Sequence, residues 1–277
     1  MLALALALLA QDKAYDLKLD SPRVPGRRLQ VLEVQHTRLS MRVNGQPAAA
    51  SEEKIHVEAL EEVVSADGPG AFELRWTFSK AESLAEGKAL PLGFQGKTVR
   101  VKKAKDGEPS YSYADGGALA EADLAALKKV FDEESDDAAS KALAPGKPVK
   151  AGESWSPDIR ALADMLDKDM AQAVDVSKSS ARFTLKSVEK RGAAEFGKIE
   201  GSVELALGAL GPLKLETPLL MKMTIELDVC VDGSLPDGVA KFKAVMKGAS
   251  SAEADGNKVN LDVDITSVGH ATKASAK

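Results

Sequence analysis

The stretch MKMTIELDVCVD, Met221 to Asp232, decides how the chain is read. Its odd positions are Met221, Met223, Ile225, Leu227, Val229 and Val231, all apolar. Its even positions are Lys222, Thr224, Glu226, Asp228, Cys230 and Asp232, all polar or small. A helix buries every third or fourth residue, whereas an extended strand sends successive side chains to opposite faces. Twelve residues of unbroken period two therefore predict a long strand with one dry face and one wet face, the mark of an antiparallel sheet.

The same pattern recurs on both sides. Val259, Leu261, Val263 and Ile265 alternate with Asn260, Asp262, Asp264 and Thr266. Ile199, Val203, Leu205 and Leu207 do so further upstream, after a start at Phe183 and Leu185, and Val239 to Lys247 is a weaker strand. Phe72, Leu74, Trp76 and Phe78 alternate with polar residues in the first half. Leu29 to Val43 forms an earlier strand and ends at Asn44-Gly45, a hairpin-type turn. Between Ser51 and Ala66 the parity shifts near Ala59, which predicts a bulge or a helical interruption. Residues 80–95 read as loop. The Lys97–Lys105 strand carries Lys97, Arg100, Lys102, Lys103 and Lys105, the pattern of a lysine-protected edge strand or of a contact for an anionic surface.

Helical spacing appears twice. Leu124, Leu127 and Phe131 share a face within residues 119–131, and Ile159, Leu162, Ala163, Leu166 and Met170 share another. Between these helices lies the connector APGKPVKAGESWSPD, Ala144 to Asp158. Its prolines and glycines exclude helix and central strand. Trp155 is the large side chain able to anchor the connector against a core. Ser156 and Pro157 suit the N-cap and first position of the second helix. The fold expected is mainly β with a few helices (α+β). A long antiparallel meander forms a curved sheet, half-barrel or barrel, with two amphipathic helices packed on it. The layout is a signal peptide at 1–10, a β-rich half at 11–143 with a helix near 119–131, the connector at 144–158, and a helix followed by a β meander at 159–277, the two halves being expected to share one sheet or core.

Residues 1–10, MLALALALLA, resemble the apolar core and cleavage site of a secretory signal peptide and are too short to span a bilayer as a helix. Export to the periplasm or the extracellular space is expected, and no later segment reads as a transmembrane helix. Cys230 is the single cysteine, so a monomer holds no disulfide. The net charge of −5 argues against a general nucleic-acid binder.

No catalytic, cofactor or metal site is legible. No phosphate-binding glycine loop, nucleophile elbow or HExxH motif occurs in the 277 residues. His36, His56 and His270 are scattered, although His36 and His56 are placed to meet across a sheet. Cys230 shares its face with Asp228 and Asp232, whose charge disfavours a thiolate. Glu226, Asp228, Asp262 and Asp264 read as solvated carboxylates. The acidic run Asp132 to Asp137 lacks the spaced glycine of an EF-hand loop.

The run PGKPVKAGESW, with FTLKSVEKRG, GKIEGSVEL and the earlier GKTVRVKKAKDG, resembles a group of exported bacterial β-rich proteins of unknown function. The resemblance covers Gly96 to Val203 and implies no activity and no functional residue. Two function classes fit the sequence. One is a non-catalytic binding protein holding a hydrophobic ligand or lipid in a β cup. The other is a structural or interaction protein of the cell envelope with a filled core. An open apolar pocket would favour the first, a packed core the second.

Overall fold

Asn44 and Gly45 have φ values of 50° and 80°. Two successive positive φ angles define the tight turn whose twist matches that of paired strands. The turn joins β2 (Arg28–Val43) to β3 (Gln46–Asp67), and Asn44 also clamps it sideways. The Asn44 Oδ1 accepts from the Lys258 amide at 2.9 Å, and its own amide donates to the Lys258 carbonyl at 2.7 Å. The computed structural model describes residues 13–17, 19, 23–67, 70–85, 88–105, 107–130, 142–164, 168–210, 213–231, 240–254 and 257–273. The apolar N-terminal run and the acidic run Asp132 to Asp137 lie outside them.

Twelve strands form one antiparallel sheet that is curved but does not close into a barrel. The path begins with β7 (Ser110–Tyr113), β6 (Thr98–Lys103), β4 (Ala71–Ala85), β3 and β2. It continues through β14 (Asn257–Lys273), β13 (Ala240–Ala254), β12 (Leu213–Cys230), β11 (Ala194–Leu210), β10 (Ser180–Arg191) and β9 (Ser154–Trp155). β5 (Lys88–Pro91) pairs with β4, and β1 (Ala14–Tyr15) pairs with β8 (Val149–Lys150) in a separate ribbon. The N-terminal and C-terminal halves meet where β2 pairs with β14. At about 3.3 Å per residue, the 22 residues of β3 extend roughly 70 Å. Its first eight residues, Gln46 to Glu53, are exposed throughout. Both ends of the sheet are blunted by very short strands, four residues in β7 and two in β9, which limits edge-to-edge pairing.

Several local readings need correction. Of the two readings of the parity shift near Ala59, the bulge is the one found and the helical interruption is not: the register against β4 slips between Glu58 and Ala59 and again between Val63 and Ser65. Residues 80–95 are not a loop throughout, because β4 runs to Ala85 and β5 returns beside it. The lysine-rich strand β6 is not the edge, since β7 covers it. The helix expected over 159–170 is two short ones, α2 (Ile159–Ala163) and α3 (Lys168–Ala173), after α1 (Glu121–Val130). Arg160 draws α3 back by donating to the Ala171 carbonyl at 3.2 Å. The N-cap of α2 is Asp158 and not Ser156, and its carboxylate accepts from the Arg160 amide at 2.8 Å. Trp155 is held extended by pairing with Phe183, so the chain turns helical only at Ile159, four residues later.

The helices cover one face of the sheet at its two ends, giving two separate cores. At the N-terminal end Val57, Val63, Leu74, Trp76, Phe78, Phe94 and Val101 pack with Leu127 of α1. At the C-terminal end Phe183, Leu185, Ile199, Leu205, Leu207 and Leu219 pack with Trp155, Leu162 of α2 and Val174. Trp155 stacks on Phe183 at 5.9 Å and donates through Nε1 to the Leu143 carbonyl at 2.9 Å. Each tryptophan therefore sits in a different core.

Candidate functional site

Both cores lie on the same face, as the register shows. One row across the sheet runs Gly201, Ile225, Ala244, Ser267, Gln35, Ile55. Ile225 belongs to the C-terminal core and Ile55 to the N-terminal core. Between them the face passes through β13, β14 and β2, where the period-two pattern still places apolar residues. Val31, Leu39, Met41 and Val43 of β2, with Ile265 of β14, belong to neither core. Leu39 is 38% exposed, whereas Leu205 and Val57 at the same face are 1% and 0%. An apolar strip thus runs between the two closed cores.

The strip has a polar waist. Along β2 the face reads Leu29, Val31, Glu33, Gln35, Thr37, Leu39, Met41, Val43. Ser267 of β14 donates to the Glu33 carboxylate at 3.0 Å, and Gln35 is the register partner of Ser267. All three are half-buried. Such a surface can take an elongated apolar group on one side of the waist and supply hydrogen-bonding partners at it.

The opposite face of the same strands is polar. A hollow of roughly 500 Å³ opens there, lined by Arg38, Ser40, Leu220, Lys222, Lys247 and Asp264 among others. Ion pairs join Lys222 to Glu204 at 3.3 Å and Lys247 to Asp264 at 3.2 Å. Asp262 accepts from Ser40 at 3.4 Å.

The residues singled out in the sequence are placed as follows. His36 meets Glu52 at 2.8 Å, and His56 lies 3.1 Å from Glu58. The two histidines are diagonal neighbours on one face, since His56 pairs with Val34 and His36 with Lys54. His270 lies one strand away, opposite Leu32. Among the described residues no three His, Cys, Asp or Glu side chains group as metal ligands. Cys230 is half-buried opposite Phe196, and Asp228 on the same face bonds Arg191 at 2.8 Å. Asp232 lies outside the described residues. Glu226 faces Lys243 across the strands at 3.7 Å, two rows from the pair formed by Lys247 and Asp264. In the basic strand β6, Arg100 donates to Glu73 at 2.8 Å and holds its carboxyl below the ordinary range. Lys97 sits 4.5 Å over the Tyr113 ring. The basic patch is thus partly tied into its own sheet. Neither the apolar strip nor the hollow was visible in the sequence, because both depend on which strands are neighbours.

The fold and these surfaces define an open antiparallel β-sheet protein with helices capping its two ends. No family model and no curated protein matches the chain. Three solved structures are similar in outline over most of it. A lipovitellin structure, described for its lipid–protein interactions, is 8% identical at a TM-score of 0.39 and covers 92% of this chain. The chain spans about a quarter of the lipovitellin length, 26%. The P47 protein of Clostridium botulinum is 6% identical at a TM-score of 0.22, with 92% of this chain and 83% of that one covered. An outer membrane channel of Pseudomonas putida is 11% identical at a TM-score of 0.21, covering 91% and 97%. At these scores the likenesses carry no functional argument. No helix among the described residues is long and apolar enough to cross a membrane.

Proposed function

We propose that this chain is an exported, non-catalytic binding protein that holds a hydrophobic ligand, in the simplest case a lipid acyl chain, along the apolar strip of β2 and β14. One observation carries the reading: Val31, Leu39, Met41, Val43 and Ile265 share the face of two closed cores and belong to neither. Covering such a strip is favourable at about 25 cal/mol for each Å² of apolar surface removed from water. The waist at Glu33, Gln35 and Ser267 suits a ligand with a polar group.

The test is titration with a fluorescent fatty acid, beside mass spectrometry of an organic extract of the purified protein. Leu39→Glu places a charge on the strip at a partly exposed site, where folding stability should change by only about 0.5 kcal/mol. Affinity for the probe is expected to fall at least about tenfold, the equivalent of about 1.4 kcal/mol. Equal affinity in the variant and the parent would sink the reading. The alternative, a structural or interaction protein of the cell envelope, is favoured by the complete filling of both end cores, where Trp76, Phe78 and Leu205 are each 1% exposed. An empty extract and no probe binding would decide for it.

Export rests on the apolar run MLALALALLA followed by Gln11. Intact-mass measurement on protein from its native cell is expected to show a chain beginning near Gln11. A mature chain retaining Met1 would remove export from the proposal.

A further inference from the structure

The hollow on the polar face is crossed by one straight row of charged residues. In register the row is Glu204, Lys222, Lys247, Asp264, Arg38, Glu52, drawn from β11, β12, β13, β14, β2 and β3. Neighbours along it alternate in sign except at one step, where Lys222 stands directly opposite Lys247. Like charges directly opposite on paired strands repel and weaken the pairing. Here each ammonium is bonded on its outer side, Lys222 to Glu204 and Lys247 to Asp264. Both lysines line the hollow.

Three further features make that space a site for an anion with a carbon skeleton. Arg38, on the far side of Asp264, lines the hollow and makes no ion pair among the described residues. Glu52, its register partner on β3, is bonded to His36. Three cationic and two carboxylate side chains line the hollow, an excess of one positive charge in a chain whose net charge is −5. Beside Lys222 and Lys247 the lining turns small and apolar, with Leu220 42% exposed, Gly248 and Ala249. A volume of roughly 500 Å³ is in the range of small-molecule sites.

We propose that this hollow binds a phosphate ester, with its phosphate between Lys222 and Lys247 and its carbon skeleton over Leu220 and Ala249. Two ammonium groups and a nearby guanidinium suit a multiply charged group with several acceptor oxygens better than a single carboxylate. The lysines come from the C-terminal half and Arg38, two strands beyond Lys247, from the N-terminal half, so both halves line the hollow. The site lies on the face opposite the apolar strip and does not depend on ligand binding there.

The experiment compares the full chain with the double variant Lys222→Gln/Lys247→Gln and with Arg38→Gln. The probes are glycerol 3-phosphate, glycerol as the neutral control, and vesicles of phosphatidylcholine with or without phosphatidylglycerol. Both lysines are exposed, so the variants should fold, as unchanged tryptophan emission would verify. Saturable binding of glycerol 3-phosphate, none of glycerol, and a loss of at least about tenfold in the double variant are expected, with a smaller loss in Arg38→Gln. Binding of phosphatidylglycerol vesicles alone, lost in the same variant, would support the site with a lipid head group as the source of the phosphate. The proposal is overturned if the parent binds neither probe saturably, or if the double variant binds as the parent does.

Discussion

Replacing Trp155 by alanine is expected to cost about 3–5 kcal/mol of folding free energy, the range for truncating a buried aromatic side chain. Trp155 is 6% exposed and its ring lies on Phe183 at 5.9 Å, with 28° between the planes. Truncation removes that contact and also leaves the Leu143 carbonyl without the indole donor it holds at 2.9 Å. An acceptor left unsatisfied in a buried place adds its own desolvation cost. Urea denaturation checks the value, with Trp76 in the other core as the fluorescent reporter. Trp76→Phe isolates Trp155, whose emission should be blue-shifted and resistant to acrylamide. A loss below about 1 kcal/mol, or a freely quenched emission, would mean that Trp155 does not fasten the connector to the C-terminal core.

The second large effect is expected at Gly201. A Cβ built there would stand 2.1 Å from Cε1 and 2.5 Å from Cδ1 of Phe183, so the ring lies directly over the glycine. Phe183 cannot retreat freely, because Trp155 is stacked on it. Gly201→Val should therefore destabilise by about 2–3 kcal/mol, toward the upper end for overpacking. Gly208 is the control. Its Cβ would meet only the Ala173 carbonyl at 3.9 Å, so Gly208→Ala should be near neutral. In a Phe183→Leu background the cost of Gly201→Val should shrink by about 1 kcal/mol, since residues in contact do not add. Additive costs would separate the two residues and reject the stack of Trp155, Phe183 and Gly201.

These two sites show where sequence reading reaches and where it stops. Trp155 stood out by its size and its place before a helix start. Its partner did not, because nothing local to residue 155 indicates that Phe183 is the neighbour. Gly201 interrupts the apolar face of β11 between Ile199 and Val203, and nothing local to it indicates what fills the gap. The structure turns that gap into the seat of an aromatic ring from the adjacent strand. The single helix expected over 159–170 failed for a related reason. Its apolar spacing continues, but the described helices are Ile159–Ala163 and Lys168–Ala173, joined by a contact from Arg160 to the Ala171 carbonyl that local spacing does not indicate.

By itself the sequence determined most of the long strands, their two unlike faces and the Asn44-Gly45 hairpin. Period two and turn chemistry are local, and each follows from a few consecutive residues. Only the tertiary structure decided that β2 lies beside β14, more than 200 residues away, and so joined the two halves in one sheet. That pairing divides the apolar face into two covered cores and a strip that is only partly buried among the described residues, and on the other face it completes the row that contains Lys222, Lys247 and Arg38. Strand alternation fixes which way a side chain points, but not which strand it will find beside it. Neighbours are set by register and by what the helices cover, and these are properties of the whole chain.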